Sequence, residues 1–289
     1  MYEAHYGLRE KPFSILPDPG FLYWAQAHSM AFAMLKYGLL NRAGFTVITG
    51  DIGSGKTTLI RHLLNHIGDN IRVGLINNTA RQNGQLLTWI MMALDQPFEG
   101  QSEVALFKQF QDFLIREYTE RGRIILVIDE AQNLGPDNLE ELRMLSNINA
   151  DKDQLLQLIL VGQPQLKDLL QRPDLSQFSQ RISSDFHLRP LLFEETAGYV
   201  AHRLKVAGGN PDLFDHNALR LVFEASAGIP RTINILCDTA LVYGFAIGAP
   251  FISAAIVKNV IDDKKLYGVF SADGVKEWPV PLKEVKPEQ

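Results

Sequence analysis

The sequence predicts an α/β protein in which a mainly parallel sheet lies between two layers of helices, followed by a smaller helical region. Short apolar runs, typical of buried strands, alternate with amphipathic helical patterns up to Arg189-Pro190. A glycine-rich loop with the spacing G-x-x-x-x-G-K-T separates the first strand pattern from a helix. After Arg189-Pro190 only helical patterns follow. Together these observations predict a three-layer sandwich of the P-loop type with a helical region after it.

Five segments are predicted to be strands. The first four are short, mainly apolar or β-branched runs, which are typical of parallel strands buried on both faces, whereas the last is more polar. They cover residues 45–49, 72–76, 124–128, 155–161 and 184–188.

The segments between and after these strands have helical periodicity. Pro136 is expected in the first turn of its helix, where a proline costs no hydrogen bond. The predicted helices cover residues 58–64, 83–94, 103–121, a segment beginning near Pro136, and then 194–206, 216–227, 231–245 and 253–266.

Bulk composition is that of a globular protein in a reducing compartment. The chain has 289 residues, of which 46% are hydrophobic, so it can bury a large core. A single cysteine, Cys237, excludes an internal disulfide, and the first residues lack a basic-then-apolar signal pattern. We therefore expect a cytoplasmic protein. Its formal charge of −5 argues against a general nucleic-acid surface.

The stretch from Thr239 to Val257 carries no charged residue, and its length is similar to that of a membrane-spanning helix. Glycines and Pro250 interrupt it, and Gly248-Ala249-Pro250 is typical of a helix stop followed by a turn. The sequence therefore predicts two buried helices here and no direct membrane insertion.

The glycine-rich loop predicts nucleotide binding. Glycines let the backbone wrap a phosphate closely, and successive N–H groups with a helix N-terminus supply partial positive charge. Lys56 is expected to reach the β- and γ-phosphates of ATP, and the Thr57 hydroxyl to bind Mg²⁺. The alternative is a glycine-rich turn before an ordinary helix. The predicted nucleotide contacts are Gly50, Asp51, Ile52, Gly53, Ser54, Gly55, Lys56, Thr57 and Thr58.

A second motif points to hydrolysis. The apolar run at residues 124–128 ends in Asp129-Glu130, and carboxylates at the carboxyl end of a parallel strand lie where open α/β folds bind ligands. Asp129 is the expected carboxylate on the Mg²⁺ side, and Glu130 is expected to orient or deprotonate the attacking water. The alternative is an acidic pair that merely ends a strand at the surface.

Two histidines on the helix after the loop, His62 and His66, have the i, i+4 spacing of metal ligands. No carboxylate or third ligand is evident nearby in the sequence. We therefore interpret them as part of a solvated helix face.

The motifs together resemble those of an AAA+ ATPase, and further segments narrow the resemblance. The chain is similar to secretion ATPases of the ExeA/GspA type, and closest to the secretion ATPase of exosortase (PEP-CTERM) and exopolysaccharide loci. The segments that carry the resemblance are YEAHYGLREKPFS at the start, PDP at 17–19, DEAQ at 129–132, LVGQP at 160–164, QRI at 180–182, GIPRTIN at 228–234, YGF at 243–245 and YGVF at 267–270.

The resemblance implies roles for further residues. Gln163 matches a position where a polar side chain contacts the γ-phosphate or the water, and the alternative is an ordinary strand-end glutamine. Arg181 matches an arginine finger supplied to a neighbouring subunit, and the alternative is a surface ion pair. Arg231 matches a residue by which the helical lid contacts the γ-phosphate. Three residues, Phe13, Pro17 and His28, match elements around adenine, and core packing is the alternative.

The resemblance also implies a division of the chain. Residues 1–189 would form the AAA+ nucleotide-binding domain, with segment 1–43 packing near adenine. Residues 190–268 would form the helical lid and 269–289 a flexible tail. Longer relatives continue into a membrane span and a peptidoglycan-binding part. We expect neither in this chain, which ends earlier.

The implied function is Mg²⁺-dependent ATP hydrolysis by a homo-oligomeric ring, such as a hexamer. The work would be to energise or regulate export of a surface polysaccharide or protein, through membrane-bound partners that bring the protein to the inner membrane. Two alternatives stay open. One is a DNA-associated regulator of the TnsC/IstB transposition type, against which the acidic charge argues. The other is a nucleotide switch that binds ATP to change partners.

Overall fold

A five-stranded sheet with only parallel neighbours forms the centre of the α/β part. The computed structural model describes residues 1–68, 71–77, 86–120, 122–150 and 153–267. The strand order is β2-β3-β6-β1-β7, and β4 and β5 form a separate antiparallel ribbon. The predicted parallel sheet is confirmed. The strands are β1 Phe45–Gly50, β2 Ile71–Ile76, β3 Arg123–Ile128, β4 Asn149–Ala150, β5 Asp153–Gln154, β6 Leu156–Gly162 and β7 Ile182–Leu188.

The helices fall into those that cover the sheet and those that follow it. The helix predicted at 83–94 lies partly outside the described residues, and its described part is helical. The helices are α1 Gln26–Leu40, α2 Lys56–Leu64, α3 Leu86–Ala93, α4 Glu103–Glu120, α5 Gly135–Leu145, α6 Pro164–Leu170, α7 Ser176–Ser179, α8 Phe193–Val206, α9 His216–Ser226, α10 Pro230–Ala246 and α11 Ala254–Tyr267.

The sheet has an apolar core on each face. Apolar residues of α1 and α2 pack on one face, against β-strand residues such as Ile48 and Val161. Apolar residues from α3 to α7 pack on the other face, against residues such as Phe45 and Leu126. Because every β1 residue is buried, its continuous apolar run matches a strand covered on both sides. The predicted three-layer α/β fold is confirmed.

Helix α1 is not among the helices that the sequence predicts. Its N-cap, Ala25, makes no side-chain capping bond, so the usual sequence signal for a helix start is missing. Its C-terminal carbonyls are bound instead by side chains of the sheet. Arg123 Nη1 donates to Leu39 O at 2.7 Å, and Gln157 Nε2 donates to Gly38 O at 3.3 Å. Tertiary contacts therefore define the end of this helix.

The chain folds into two compact units, one α/β and one helical. The α/β unit comprises residues Ile15–Leu191 and Ile229–Arg231. The helical unit comprises Met1–Ser14 together with the helices from residue 192 onward, apart from that short segment. The sequence-based division assigned all of 1–43 to the nucleotide-binding domain, whereas Met1–Ser14 packs within the helical unit. The boundary at 189 stays a prediction, and the tail 269–289 lies outside the described residues.

The first residues of the chain are tied to the helical unit by hydrogen bonds. The Tyr2 hydroxyl donates to Asp238, and the Arg9 N–H donates to Ala207 O at 2.8 Å. The buried Arg203 donates through Nε to Pro12 O. These bonds join residues far apart in sequence, so the opening segment is an integral part of this unit.

The uncharged stretch from Thr239 to Val257 is divided between two helices, as predicted. Helix α10 ends at Ala246 and α11 begins at Ala254. Gly248 between them has a φ of +65°, a left-handed conformation that favours glycine. No helix within the described residues is long and apolar enough to cross a membrane.

Candidate active site

The loop between β1 and α2 has the backbone shape that its glycines predict. Gly53 and Gly55 have φ values of +81° and +102°. Gly55 is the N-cap of α2 and provides no side-chain capping bond. The first N–H groups of α2 therefore lack the usual capping side chain, and they are available to an anion at the helix N-terminus.

Lys56 is buried inside this loop. Its Nζ donates to Gly50 O at 2.7 Å and to Asp51 O at 2.8 Å. Burial lowers the pKa of the Lys56 ammonium, and the negative charges of Glu130, Asp129 and Asp51 oppose that effect. The lysine thus bridges the two ends of the loop, in position to exchange carbonyl partners for phosphate oxygens.

Thr57 and Asp129 meet although they are far apart in sequence. The Thr57 hydroxyl donates to Asp129 Oδ2 at 3.0 Å. This contact arises because β1, β6 and β3 are parallel neighbours, so the residues after them lie at one edge of the sheet. A hydroxyl and a carboxylate are the hard oxygen ligands that Mg²⁺ prefers. The donor set therefore fits the predicted ion. The described residues contain no group of three His, Cys, Asp or Glu side chains around a metal position, and Mg²⁺ beside a nucleotide needs only one or two protein ligands.

Glu130 lies at the centre of a small hydrogen-bond network. Its φ is +54°, and its N–H donates to Asp129 Oδ1 at 2.9 Å. Its Oε2 accepts hydrogen bonds from two side-chain amides, Gln132 Nε2 at 2.6 Å and Gln163 Nε2 at 2.9 Å. Gln163, predicted to contact the γ-phosphate or the water, therefore lies directly beside the predicted catalytic carboxylate.

Arg231 contacts the phosphate loop through its backbone. Its N–H donates to Gly53 O at 3.1 Å, while its side chain is exposed. A Cβ built on Gly53 would lie 2.3 Å from Arg231 Cβ, so only glycine allows this approach. The loop and Arg231 thus meet within the α/β unit.

Arg181 lies at the opposite end of the sheet from the loop. It precedes β7, whose first residue, Ile182, pairs with Phe45 at the start of β1, whereas Gly50 pairs with Leu188. The Arg181 guanidinium donates to Asn147 Oδ1 and to Ser146 Oγ, the latter at 3.2 Å. It is therefore held at the C-terminal end of α5.

The three residues predicted near adenine have different surroundings. Phe13 is buried in the helical unit, where it packs edge-to-face on Phe214 with 6.0 Å between ring centroids. Pro17 O accepts a hydrogen bond from Arg61 of α2 at 3.4 Å. His28 is buried, with Nε2 3.0 Å from Ser54 O. Their contact with adenine stays a prediction. His28 additionally supports the phosphate loop, a role that its sequence position does not indicate.

The two histidines of α2 belong to an aromatic cluster. The His62 ring lies 4.3 Å from that of His66, 5.1 Å from Trp24 and 5.4 Å from Phe32, measured between centroids. Burial, followed by the positive charges of His66 and Lys36, lowers the pKa of His62. These contacts describe a packed surface cluster.

Gln132 is the residue of this site that sequence reasoning did not assign. Its amide bonds both Glu130 and the backbone of Gln163, whose N–H donates to Gln132 Oε1 at 3.0 Å. Its sequence signals were its place two residues after Glu130 and its membership of the DEAQ segment at 129–132, neither of which assigned it a role. The contact with Gln163 depends on the pairing of β3 with β6.

Parts of the chain are similar to a known domain and to a known protein. Residues 40–170 match the model of an AAA domain. The chain is 40% identical over 250 residues to general secretion pathway protein A of Aeromonas hydrophila, a match that covers 86% of this chain. The chain spans 46% of the length of that relative.

Solved structures of the same fold have lower identity. Cdc6p from Pyrobaculum aerophilum has a TM-score of 0.65 at 18% identity, covering 85% of this chain and 70% of that one. The ORC2 protein of Aeropyrum pernix has a TM-score of 0.59 at 19% identity, with coverages of 82% and 66%. The RuvB Holliday junction branch migration motor of Thermotoga maritima has a TM-score of 0.57 at 17% identity, with coverages of 91% and 76%. These likenesses concern the fold alone.

The chain therefore contains an AAA domain with the AAA+ fold of P-loop nucleotidases. The AAA domain match at residues 40–170 supports nucleotide binding and ATPase activity.

Proposed function

We propose that this chain is a Mg²⁺-dependent ATPase that works as a homo-oligomer and energises or regulates export across the cell envelope. The observation that carries the proposal is the convergence of three groups at one edge of the sheet. These are the phosphate loop with Lys56, the Thr57–Asp129 pair, and Glu130 beside that pair. Nucleotide binding requires the first, and hydrolysis requires all three.

The residues divide the work between binding and chemistry. Bound MgATP would supply the phosphoanhydride bond and the metal charge that stabilises the transferring phosphoryl group. Lys56 and the N–H groups at the start of α2 would hold the phosphates. Thr57 and Asp129 would hold the ion, with Asp129 acting through water. Glu130, fixed by its backbone bond to Asp129, orients the attacking water and accepts its proton.

Two substitutions test this division. Lys56→Ala should abolish tight ATP binding, because the lysine contacts the ground-state phosphates. Glu130→Gln should keep ATP binding and stop hydrolysis, because the carboxylate acts on the water. ATP affinity is measured by calorimetry and hydrolysis by phosphate release. The exposed Lys108→Ala and Glu120→Gln serve as matched controls and should behave as wild type. Hydrolysis by Glu130→Gln at the wild-type rate would overturn the assignment of the catalytic carboxylate.

Assembly follows from the place of Arg181. Strand β7 has seven residues, which at about 3.3 Å each separate its ends by roughly 20 Å. Arg181 precedes this strand, whereas the phosphate loop follows β1 at the other end. An arginine side chain cannot cover that distance. An arginine finger at this position therefore serves the site of a neighbouring subunit, which supports an oligomer such as a ring.

The export role rests on the relationship to general secretion pathway protein A. We place the chain with the secretion ATPases of exosortase and exopolysaccharide loci, on the YGF segment at 243–245 and the YGVF segment at 267–270. In this proposal membrane-bound export proteins recruit it from the cytoplasm to the inner membrane. Arg231, in contact with the loop at Gly53, makes this recruitment depend on the bound nucleotide.

Fractionation tests the export role. The chain expressed alone should stay in the cytosolic fraction, because no described helix is a membrane span. Expressed with its neighbouring genes, part of it should move to the membrane fraction, and Glu130→Gln, which retains ATP, should change that share. Membrane association of the isolated chain that resists high salt would contradict the proposal. Salt-sensitive binding to duplex DNA without any such shift would instead indicate the DNA-associated class.

A further inference from the structure

We infer that Gln132 is a positioning residue for ATP hydrolysis, which couples the Glu130 carboxylate to the loop that begins with Gln163. The inference rests on the proposed hydrolytic function. Gln132 contacts neither phosphate nor metal in this assignment. It acts by fixing the two groups that do the chemistry.

The Gln132 side chain uses both ends of its amide. Its Nε2 donates to Glu130 Oε2 at 2.6 Å, and its Oε1 accepts from the Gln163 backbone N–H at 3.0 Å. Gln163 completes the hydrogen-bond network, because its own Nε2 donates to the same Glu130 oxygen at 2.9 Å. Each of the three residues is bonded to the other two. A movement of Gln163 towards a phosphate therefore changes the surroundings of Glu130.

Gly162, a glycine close to the Gln132 side chain, leaves room for this arrangement. A Cβ built on Gly162, the residue before Gln163, would lie 2.9 Å from Gln132 Oε1. That is closer than such contacts normally allow, so the last residue of β6 leaves the space that the amide occupies. The loop and the side chain thus fit each other independently of the hydrogen bonds.

The chemistry of the position requires an amide. Only a side chain with both a donor and an acceptor can bond a carboxylate at one end and an N–H at the other. A glutamate would keep the acceptor for Gln163 but present a second negative oxygen to Glu130. An asparagine is one methylene shorter and cannot reach both partners. Glutamine is therefore specified by both charge and length.

Steady-state kinetics of three variants test the inference. Gln132→Ala should lower kcat about 10-fold to 100-fold, while the dissociation constant for ATP stays within about 2-fold of wild type. The isosteric Gln132→Glu should lower kcat at least as far, because it replaces a donor by a repelling oxygen. The exposed Gln165→Ala, on the neighbouring α6, is the control and should leave both constants unchanged.

A double-mutant cycle separates positioning from simple structural support. The Gln132 and Gln163 side chains bond the same oxygen in the wild type, so the double alanine variant should lose less than the product of the two single losses. The melting temperature of each variant shows whether it is folded. If Gln132→Ala does not fold, the test uses Gln132→Glu, which keeps the side-chain volume. A kcat within about 2-fold of wild type in folded Gln132→Glu, or a loss that lies in ATP binding, would overturn the inference.

The wild-type protein and Glu130→Gln are measured in the same assay, so that two failures can be told apart. If Glu130→Gln abolishes hydrolysis but Gln132→Glu leaves it at the wild-type rate, only the inference about Gln132 is wrong. If the wild-type protein hydrolyses no ATP at any protein concentration, the result contradicts both the proposed function and the inference.

Discussion

Gly53 is the residue at which the phosphate loop meets Arg231. It combines a φ of +81° with a Cβ position only 2.3 Å from Arg231 Cβ. A side chain here would thus be strained twice, once by its backbone conformation and once by its neighbour. A glycine suits the first constraint, although Gly53 is not one of the two glycines that the motif fixes. The second follows only from the folded chain, because Arg231 lies far away in sequence.

A comparison of two glycines separates these constraints. Gly100 has a φ of +69° but no atom within 4 Å of its Cβ position. Gly100→Ala should therefore cost only the backbone strain, about 1 kcal/mol of unfolding free energy. Gly53→Ala should cost more, about 2 kcal/mol, and should also weaken ATP binding. Urea denaturation and calorimetry measure the two effects. Equal losses of stability with unchanged ATP affinity would show that Arg231 exerts no constraint on the loop.

At the scale of elements, helix α1 approaches the sheet closely through Gly38. A Cβ at this position would lie 2.3 Å from Thr46 Oγ1 of β1. Glycine in a helix normally costs about 1 kcal/mol relative to alanine. Its presence here follows from the packing of α1 on β1 and β7, which outweighs helix propensity.

Replacing Gly38 by alanine tests this packing. Gly38→Ala should destabilise the protein, by about 1–3 kcal/mol, although alanine is the better helix former. Ser29→Ala, on the exposed side of the same helix, should change stability by less than about 0.5 kcal/mol. Both are measured by chemical denaturation. A Gly38→Ala protein more stable than wild type would mean that α1 can shift away from the sheet at little cost.

The elements also show what the sequence could and could not predict. The strands at 45–49 and 124–128 were predicted because they are continuously apolar, and both are buried on two faces. Helix α1 lacks a capping residue, and its C-terminal carbonyls are bound by Arg123 and Gln157 from the sheet. No local sequence pattern indicates those contacts. The candidate active site shows the same difference between local and long-range features. The phosphate loop is local and was predicted residue by residue, whereas the Gln132–Gln163 contact joins the segments that follow β3 and β6 and was not predicted.

At the scale of the whole molecule, the α/β unit separates two groups that the proposed reaction needs together. Arg181 and the phosphate loop lie at opposite ends of β7 and β1. The Arg181 guanidinium is bound by Asn147 and Ser146 at the end of α5. If Arg181 is the proposed arginine finger, one subunit alone has an incomplete site, and hydrolysis in this proposal needs a second copy of the chain.

This incompleteness predicts that the ATPase rate per subunit rises with protein concentration as subunits associate. Arg181→Ala should bind ATP nearly normally yet hydrolyse it slowly, because the finger acts in the transition state. Lys56→Ala should be inactive because its own site cannot bind ATP. In random mixed oligomers, some Arg181→Ala sites gain the intact arginine of a Lys56→Ala neighbour, so a mixture of the two variants should hydrolyse ATP faster than either variant alone. Phosphate release is measured across concentrations and mixing ratios, with sedimentation to follow assembly. A rate per subunit that is independent of concentration, together with no rescue at any ratio, would exclude an arginine supplied by a neighbour.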